Sequence, residues 1–463
     1  MMIKFKKRFQ RVLFFILLFS APHLTGAEKS FCFRIYLNTK GITSYKIIEP
    51  EKFLSPAAIE RRLLREVMID ESDFPISEKL MDEIKSADFN PVTQSKWLKT
   101  LVVETSDSSK IEQLKQFTYI DSVKCVWNGE DRMDISPCDE DTSRFVSQDS
   151  ILEIEYGYAD NQIRMLNGIA LHEKGFKGKN MRIAVIDAGF MNVNRIDAFS
   201  GMNLMGVRNI TFPNHDFYCD DDHGTKVLSC MAANLPGIMV GTAPQAEYLL
   251  IKSEDIRGEF PVEEDFWVAA IEFADSMGVD IISSSLGYYK FDNFSEWYSH
   301  EDINGKTAWT SKAAEIAAQK GILLVNSAGN EGNNEWEKII FPADTENILT
   351  VGGVTSDKEK SLFSSVGLTA DFRIKPDIVA LGSGCCAISS AGQIQMVNGT
   401  SFSAPIIAGL AACLWQSFPL LKNTEIIRLL QTSASQYQQP DAQLGYGIPD
   451  FMKAYKSAQN NEF

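Results

Sequence analysis

The sequence predicts an α/β protein, a doubly wound, mostly parallel sheet with helices on both faces, preceded by a small α+β domain. Three observations carry this prediction. The runs "MRIAVIDAG", "AEYLLIKS", "VDIISSSLG", "GILLVNSAGN" and "ILTVGGV" are almost continuously apolar and end in Gly, Ser, Asp or Asn. Strands buried on both faces of a parallel sheet read this way. Helical patterns such as "HGTKVLSCMAANL", "EEDFWVAAIEFADSMG" and "SKAAEIAAQKG" lie between several of them, and such alternation builds parallel βαβ units. Before residue 155 the texture differs, with mixed strands and charged helices and then a polar, acidic stretch.

The chain divides into four segments. "MMIKFKKRFQR" is basic, "VLFFILLFSA" is an apolar run of about ten, and "HLTGA" ends in small residues, which reads as a signal peptide over 1–27. Such a run is short for a membrane span. The mature chain is therefore expected to be exported, periplasmic or extracellular, with no membrane contact once the signal is removed. Residues 28–127 give a strand "FCFRIYLN", helices "SPAAIERRLLREV" and "SEKLMDEIKSA", a strand "KWLKTLVVET", a helix "DSSKIEQLKQF" opened by a capping Ser or Asp, and a strand "YIDSVKCVW". Residues 128–154 lack periodicity and read as an exposed linker that is easily nicked. Residues 155–463 form the α/β domain.

Composition excludes some functions. With 463 residues, 44% hydrophobic and 23% charged, the chain is long enough for two or three domains with ordinary cores. A net charge of −16 argues against nucleic acid or an anionic membrane as partner. The eight cysteines match no zinc spacing, and the sequence assigns no disulfide. Cys230 and Cys413 lie in apolar helical stretches and read as buried thiols.

In doubly wound sheets the polar residues just past each strand are the candidate ligand groups. Asp187 ends "MRIAVID" and suits a ligand group, a helix cap or a member of a catalytic set. His223, in "CDDDHGTKVLSC", suits a base or a metal ligand. Asn330, in "NSAGNEG", suits a turn or an amide donor facing a carbonyl oxygen. Ser401, in "NGTSFSAP", suits a helix cap or a nucleophile beside free helix N–H groups. Together they have the composition of a hydrolytic set: a weak hydroxyl nucleophile, an imidazole base and a carboxylate to orient it. The order Asp, His, Ser is one of three known triad orders. Helical geometry turns Ser403 about 200° from Ser401, which makes it a packing residue.

At this point the chain resembles the subtilisin-like (subtilase) serine proteases. "IAVIDAG", "HGTKV" and "NGTSFSAP" resemble the aspartate, histidine and serine motifs, "SAGNEG" the oxyanion-hole stretch, and "SSSLG" the substrate-pairing strand. The resemblance implies Ser401 as nucleophile, His223 as general base and acid, Asp187 as orienting carboxylate, and Asn330 with the Ser401 N–H as oxyanion donors. It implies that Ser285, Leu286 and Gly287 pair with substrate backbone, and that Ala328 and Gly329 line a roomy, largely apolar pocket. Residues 28–127 resemble the inhibitory propeptide, with "VKCVW" leading into the active site and the linker as the processed region. The expected protein is a monomeric, exported endopeptidase made as a zymogen, acting on proteins or peptides, with its own propeptide as intramolecular inhibitor and no cofactor or metal. A catalytically silent binding protein on the same fold is the alternative. "AANLPGIMVGTAP" is short for the family's calcium loop, so no calcium site is carried over. Lys226 stands where the family often has a second histidine. The segment 287–311 is longer than usual, and reads equally as a cleft extension or a surface loop.

Overall fold

The computed structural model describes residues 29–130, 143–292, 294 and 297–461. The predicted signal peptide, 1–27, and linker residues 131–142 lie outside the described residues.

The N-terminal domain contains β1 (Lys29–Leu37), α1 (Pro56–Leu64), α2 (Glu78–Ser86), β2 (Asn90–Ser95), β3 (Thr100–Thr105) and β4 (Ile120–Glu130). Its strands form an antiparallel sheet in the order β2-β3-β1-β4. Successive side chains of a strand face opposite ways. Phe33, Ile35 and Leu37 accordingly join Leu80 and Ile84 of α2 in one cluster, and Cys32, Val102, Val126 and Trp127 join the core of the following domain. The helix expected at "DSSKIEQLKQF" is a 3₁₀ run, Ser108–Gln116, whose Asp107 cap accepts from the Ser109 N–H. The sequence reading missed β2, because "NPVTQS" shows no apolar alternation.

The C-terminal domain runs through α3 (Asp160–Arg164), α4 (Ile169–Glu173), β5 (Arg182–Asp187), β6 (Asn203–Asn209), α5 (His223–Ala232), β7 (Asn234–Leu235), β8 (Met239–Val240), β9 (Glu247–Lys252), α6 (Val262–Met277), β10 (Ile281–Ser284), α7 (Trp309–Gln319), β11 (Leu323–Ser327), β12 (Leu349–Val354), β13 (Ile378–Leu381), β14 (Ser383–Ile388), β15 (Ile394–Asn398), α8 (Thr400–Ser417), α9 (Asn423–Ser433) and α10 (Phe451–Gln459). Seven strands form one sheet in the order β13-β12-β11-β10-β5-β9-β6, with every pairing parallel. Alternation again sorts the side chains. Ile183 and Val185 of β5 pack with α5 and α8, while Ala184 and Ile186 pack with α6 and α7. Both faces are dry, which is why the strands read as continuous apolar runs. Strand order reverses between β5 and β10, and the crevice outside the carboxyl ends of such a pair is where ligands bind in these sheets.

The free face of the N-terminal sheet covers α6 and α7. Glu272 of α6 accepts from the Lys96 N–H at 2.9 Å, the Trp97 N–H at 3.0 Å and the Ser95 hydroxyl at 2.5 Å. Arg34 of β1 reaches Asp265 at 2.7 and 2.8 Å and lies 4.7 Å from the Trp309 ring centroid. The long segment 287–311 thus has two uses. Trp309 meets the N-terminal domain, and Asp292 borders the crevice by accepting from the Glu259 N–H at 3.1 Å.

Cys230 and Cys413 are buried free thiols, as expected, and Cys219 is disulfide-bonded. Among the described residues, no helix is long and apolar enough to cross a membrane.

Candidate active site

Asp187 is the last residue of β5 and is fully buried. Its Oδ1 accepts from His223 Nδ1 at 2.6 Å and from the Ala188 N–H at 2.8 Å. His223 opens α5, where Asp221 Oδ1 accepts its backbone N–H at 2.7 Å. The glycine of "HGT" is a spacing requirement. A Cβ on Gly224 would sit 2.5 Å from the Gly189 carbonyl oxygen and 2.9 Å from Asp187 Cβ, so only glycine lets α5 start this close to β5. Burial disfavours the charged imidazolium, but the Asp187 carboxylate outweighs it through charge and hydrogen bond, and the His223 pKa is raised. With Nδ1–H held by the carboxylate, the imidazole presents Nε2 as its basic atom.

Ser401 is the second residue of α8. Gly399 precedes the helix at φ +150°, a conformation L side chains rarely adopt. Pro405 lies inside α8 and has no N–H to give the carbonyl four residues back, that of Ser401. The Ser285 hydroxyl takes that acceptor at 2.8 Å. Ser401 therefore keeps a satisfied backbone in spite of the proline. Ser403 is fully buried and donates to the Leu381 carbonyl at 3.0 Å, the packing role expected of it. No hydrogen bond joins Ser401 Oγ to His223 among the described residues. Such bonds often tighten only once substrate is bound.

Asn330 follows β11. Its Oδ1 accepts from the Thr400 N–H at 2.9 Å and from the Thr400 hydroxyl at 3.1 Å. A backbone N–H requires an acceptor, so the carbonyl end of the amide is fixed against α8 and Nδ2 is the free end. Thr400 also bridges to Gly329, accepting from its N–H at 3.2 Å and donating to its carbonyl at 3.1 Å. The sequence reading did not single out Thr400. Its signal was its place between Gly399 and Ser401.

His223, Ser285, Leu286, Gly287, Gly329, Asn330 and Ser401 line one cleft of about 510 Å³ at the β5–β10 reversal. Asp187 lies behind His223. Ala328 departs from expectation. It is fully buried in a separate apolar cluster with Ile339 and Phe341, and it does not line the cleft. Its carbonyl accepts from the Ile340 N–H at 3.2 Å, which turns the following glycine into the cleft.

The cleft wall is acidic, with Asp221, Glu254, Asp255, Glu259, Glu263 and Glu331 all contributing. Glu254, Glu259 and Glu263 bring carboxylate oxygens within 4.8 Å of one another. Burial, reinforced by like charges nearby, pushes Glu254 up to about 7 and Glu259 up to about 8, and raises Glu263 well above the usual range. The sequence reading passed over "SEDIRGEFPVEEDF" because its acids fall in a loop and a helix start with no motif to group them.

A buried carboxylate on an imidazole, a serine at a helix N-terminus and a free amide N–H around one cleft suit acyl transfer. Comparison with known proteins agrees. Residues 178–447 match the Subtilase family, and residues 32–137 match the Peptidase S8 propeptide domain, Bacteroidota. Among relatives, Subtilisin DY of Bacillus licheniformis is 28% identical over 278 residues, covering 59% of this chain and 90% of the relative. Subtilisin E of Bacillus subtilis is 27% identical over 326 residues, covering 69% of this chain and 77% of the relative. The family match spans more than half of the 463 residues and contains Asp187, His223, Asn330 and Ser401. The chain belongs to the subtilase family of serine endopeptidases, and carries the family's propeptide domain ahead of the peptidase domain.

Proposed function

We propose that this endopeptidase is exported as a zymogen and cleaves polypeptides through an acyl-enzyme formed at Ser401. His223 Nε2 takes the Ser401 proton as the hydroxyl attacks the scissile carbonyl, and returns it to the leaving amine. Asp187 holds the imidazole by Nδ1–H and stabilises its cation. Asn330 Nδ2–H and the Ser401 N–H stabilise the oxyanion, and the N-terminus of α8 adds its dipole. Ser285, Leu286 and Gly287 pair with extended substrate backbone, and Gly329 lets the chain approach closely. The N-terminal domain acts as intramolecular inhibitor until the 128–154 linker is cut, and the peptidase works as a monomer, without a cofactor.

The observation that carries this reading is the 2.6 Å bond from His223 to buried Asp187, at the edge of the cleft that Ser401 and Asn330 share. In the full chain, Ser401→Ala is expected to accumulate unprocessed precursor and to lose peptide hydrolysis. Normal maturation of that variant would show that another protease makes the cut, and hydrolysis by it would overturn the assignment of Ser401.

A further inference from the structure

The N-terminal domain touches the peptidase domain in two places. Its sheet covers α6 and α7 with apolar side chains, the Arg34–Asp265 pair and the Glu272 contacts to Ser95, Lys96 and Trp97. Its arm between β1 and α2 docks apart from the sheet, through three arginines close together in sequence. Helix α1 carries Arg61 and Arg62 and is capped at its C-terminus by Arg65, all buried, with 2%, 1% and 4% of their surface exposed. Each meets a carboxylate and, for two of them, backbone carbonyls of the peptidase domain. Arg61 pairs with Asp275 and donates to the Val279 carbonyl at 2.6 Å. Arg62 reaches Asp275 at 2.8 and 2.9 Å, and Asp73 of its own domain at 3.0 Å. Arg65 pairs with Asp280 at 3.1 Å, donates to the Pro419 carbonyl and lies 4.0 Å from the Trp415 ring centroid.

The receiving surface is shaped for this helix. Asp275 is fully buried near the C-terminal end of α6. Gly278 caps α6 at φ +83°, and a Cβ there would lie 2.4 Å from the Ala58 N of α1. The Ser55 N–H, just before α1, donates to the Ser276 carbonyl at 3.0 Å. Guanidinium forks on carboxylates and carbonyls are directional and do not tolerate replacement by a point charge. A buried pair that loses one partner leaves the other charge stranded. None of the residues named in this dock lines the catalytic cleft.

We propose that the α1 arm is a separate, arginine-keyed dock that recognises the C-terminal end of α6 independently of the cleft. The mature peptidase then retains, in Asp275, Asp280, Trp415 and the carbonyls of Val279 and Pro419, a receptor for an arginine-bearing helix. Its occupant is the protein's own cleaved propeptide. The proposal rests on the zymogen reading only in supposing that the linker is cut.

The test makes that cut from outside. The full chain carries Ser401→Ala, to prevent self-cleavage, and a site-specific protease sequence within residues 131–142. After the added protease has cut it, co-elution of the two fragments is followed by size exclusion at a fixed low concentration. The parent fragments are expected to stay together. With Arg61→Gln, Arg62→Gln and Arg65→Gln combined, retention is expected to fall at least tenfold, and with Lys79→Gln, an exposed pair elsewhere in the domain, it should not change. Equal retention by parent and triple variant would overturn the proposal, as would parent fragments that separate at once. Should the triple variant fail to fold, Arg65→Gln alone leaves the Asp275 pairs intact and is expected to weaken retention several-fold. Unchanged retention there overturns the proposal equally. Because the protease is added, neither result depends on whether the chain processes itself.

Discussion

The Ser285 hydroxyl donates to the Ser401 carbonyl at 2.8 Å and fills the acceptor that Pro405 leaves open inside α8. The end of β10 and the start of α8 are therefore fastened at the residue assigned as nucleophile. Ser285→Ala leaves that carbonyl without its donor. Unfolding of the processed enzyme should show a loss of about 1–3 kcal/mol, with kcat reduced more than KM is raised. An unchanged midpoint would mean that water replaces the hydroxyl without cost.

The Thr400 N–H fixes the Asn330 amide by its oxygen and leaves Nδ2 for the cleft. Asn330→Ala is expected to lower kcat by about 10² to 10³, with little change in KM, the size of effect for one oxyanion donor. Thr400→Val keeps the N–H and loses the hydroxyl, so its effect should be smaller. Steady-state kinetics on one peptide substrate separates the two.

On the proposed mechanism, the bond between His223 and Asp187 sets the acid limb of activity. In that mechanism the neutral imidazole is the working base, and its pKa is raised above the ordinary value of about 6.5. The limb of kcat/KM should therefore lie above that value, with activity rising as pH rises through it. Asp187→Asn should move the limb to lower pH and reduce kcat by about 10⁴. The same bond also affects stability. Its contribution is fully present below the unfolded value of about 6.5 and is lost as pH rises through the folded one. A limb that stays in place in Asp187→Asn would contradict this coupling.

The acidic wall has the same sign for a different reason. Glu259, pushed up to about 8, holds its proton in the folded state well above the pH at which the unfolded chain releases it. Stability tied to this group is fully present below the unfolded value of about 4.5 and is lost as pH rises through the folded one. Glu259→Gln removes the loss, so it should raise Tm more at pH 8.5 than at pH 5. An equal gain at both values would show that ionisation of the buried Glu259 carboxyl is not responsible.

Much of this architecture was legible in the sequence because both faces of the main sheet are dry. Ile183 to Ile186 read as an unbroken apolar run for the same reason that they alternate between two cores. The positions of Asp187, His223, Asn330 and Ser401 were legible too, since each ends or follows a strand or lies at the start of a helix. Three features were not. Strand β2 pairs through backbone with polar side chains, and it leaves no period to read. Gathering Glu254, Glu259 and Glu263 takes a loop and a helix start folded together. Ala328 stands next to cleft residues in sequence, but the turn at Gly329 sends its side chain into a separate cluster.

The central claim is that Ser401, and not its neighbour Ser403, is the nucleophile. The direct measurement is labelling of processed protein by an organophosphorus serine probe, with the labelled peptide identified by mass spectrometry. Ser403 donates to the Leu381 carbonyl from a fully buried position, so Ser403→Ala should lose about 1 kcal/mol of stability and remain labelled. The account predicts label on Ser401 in the parent and in Ser403→Ala, and none in Ser401→Ala. Folded, processed parent that takes no label, or a label that persists in Ser401→Ala, would contradict it.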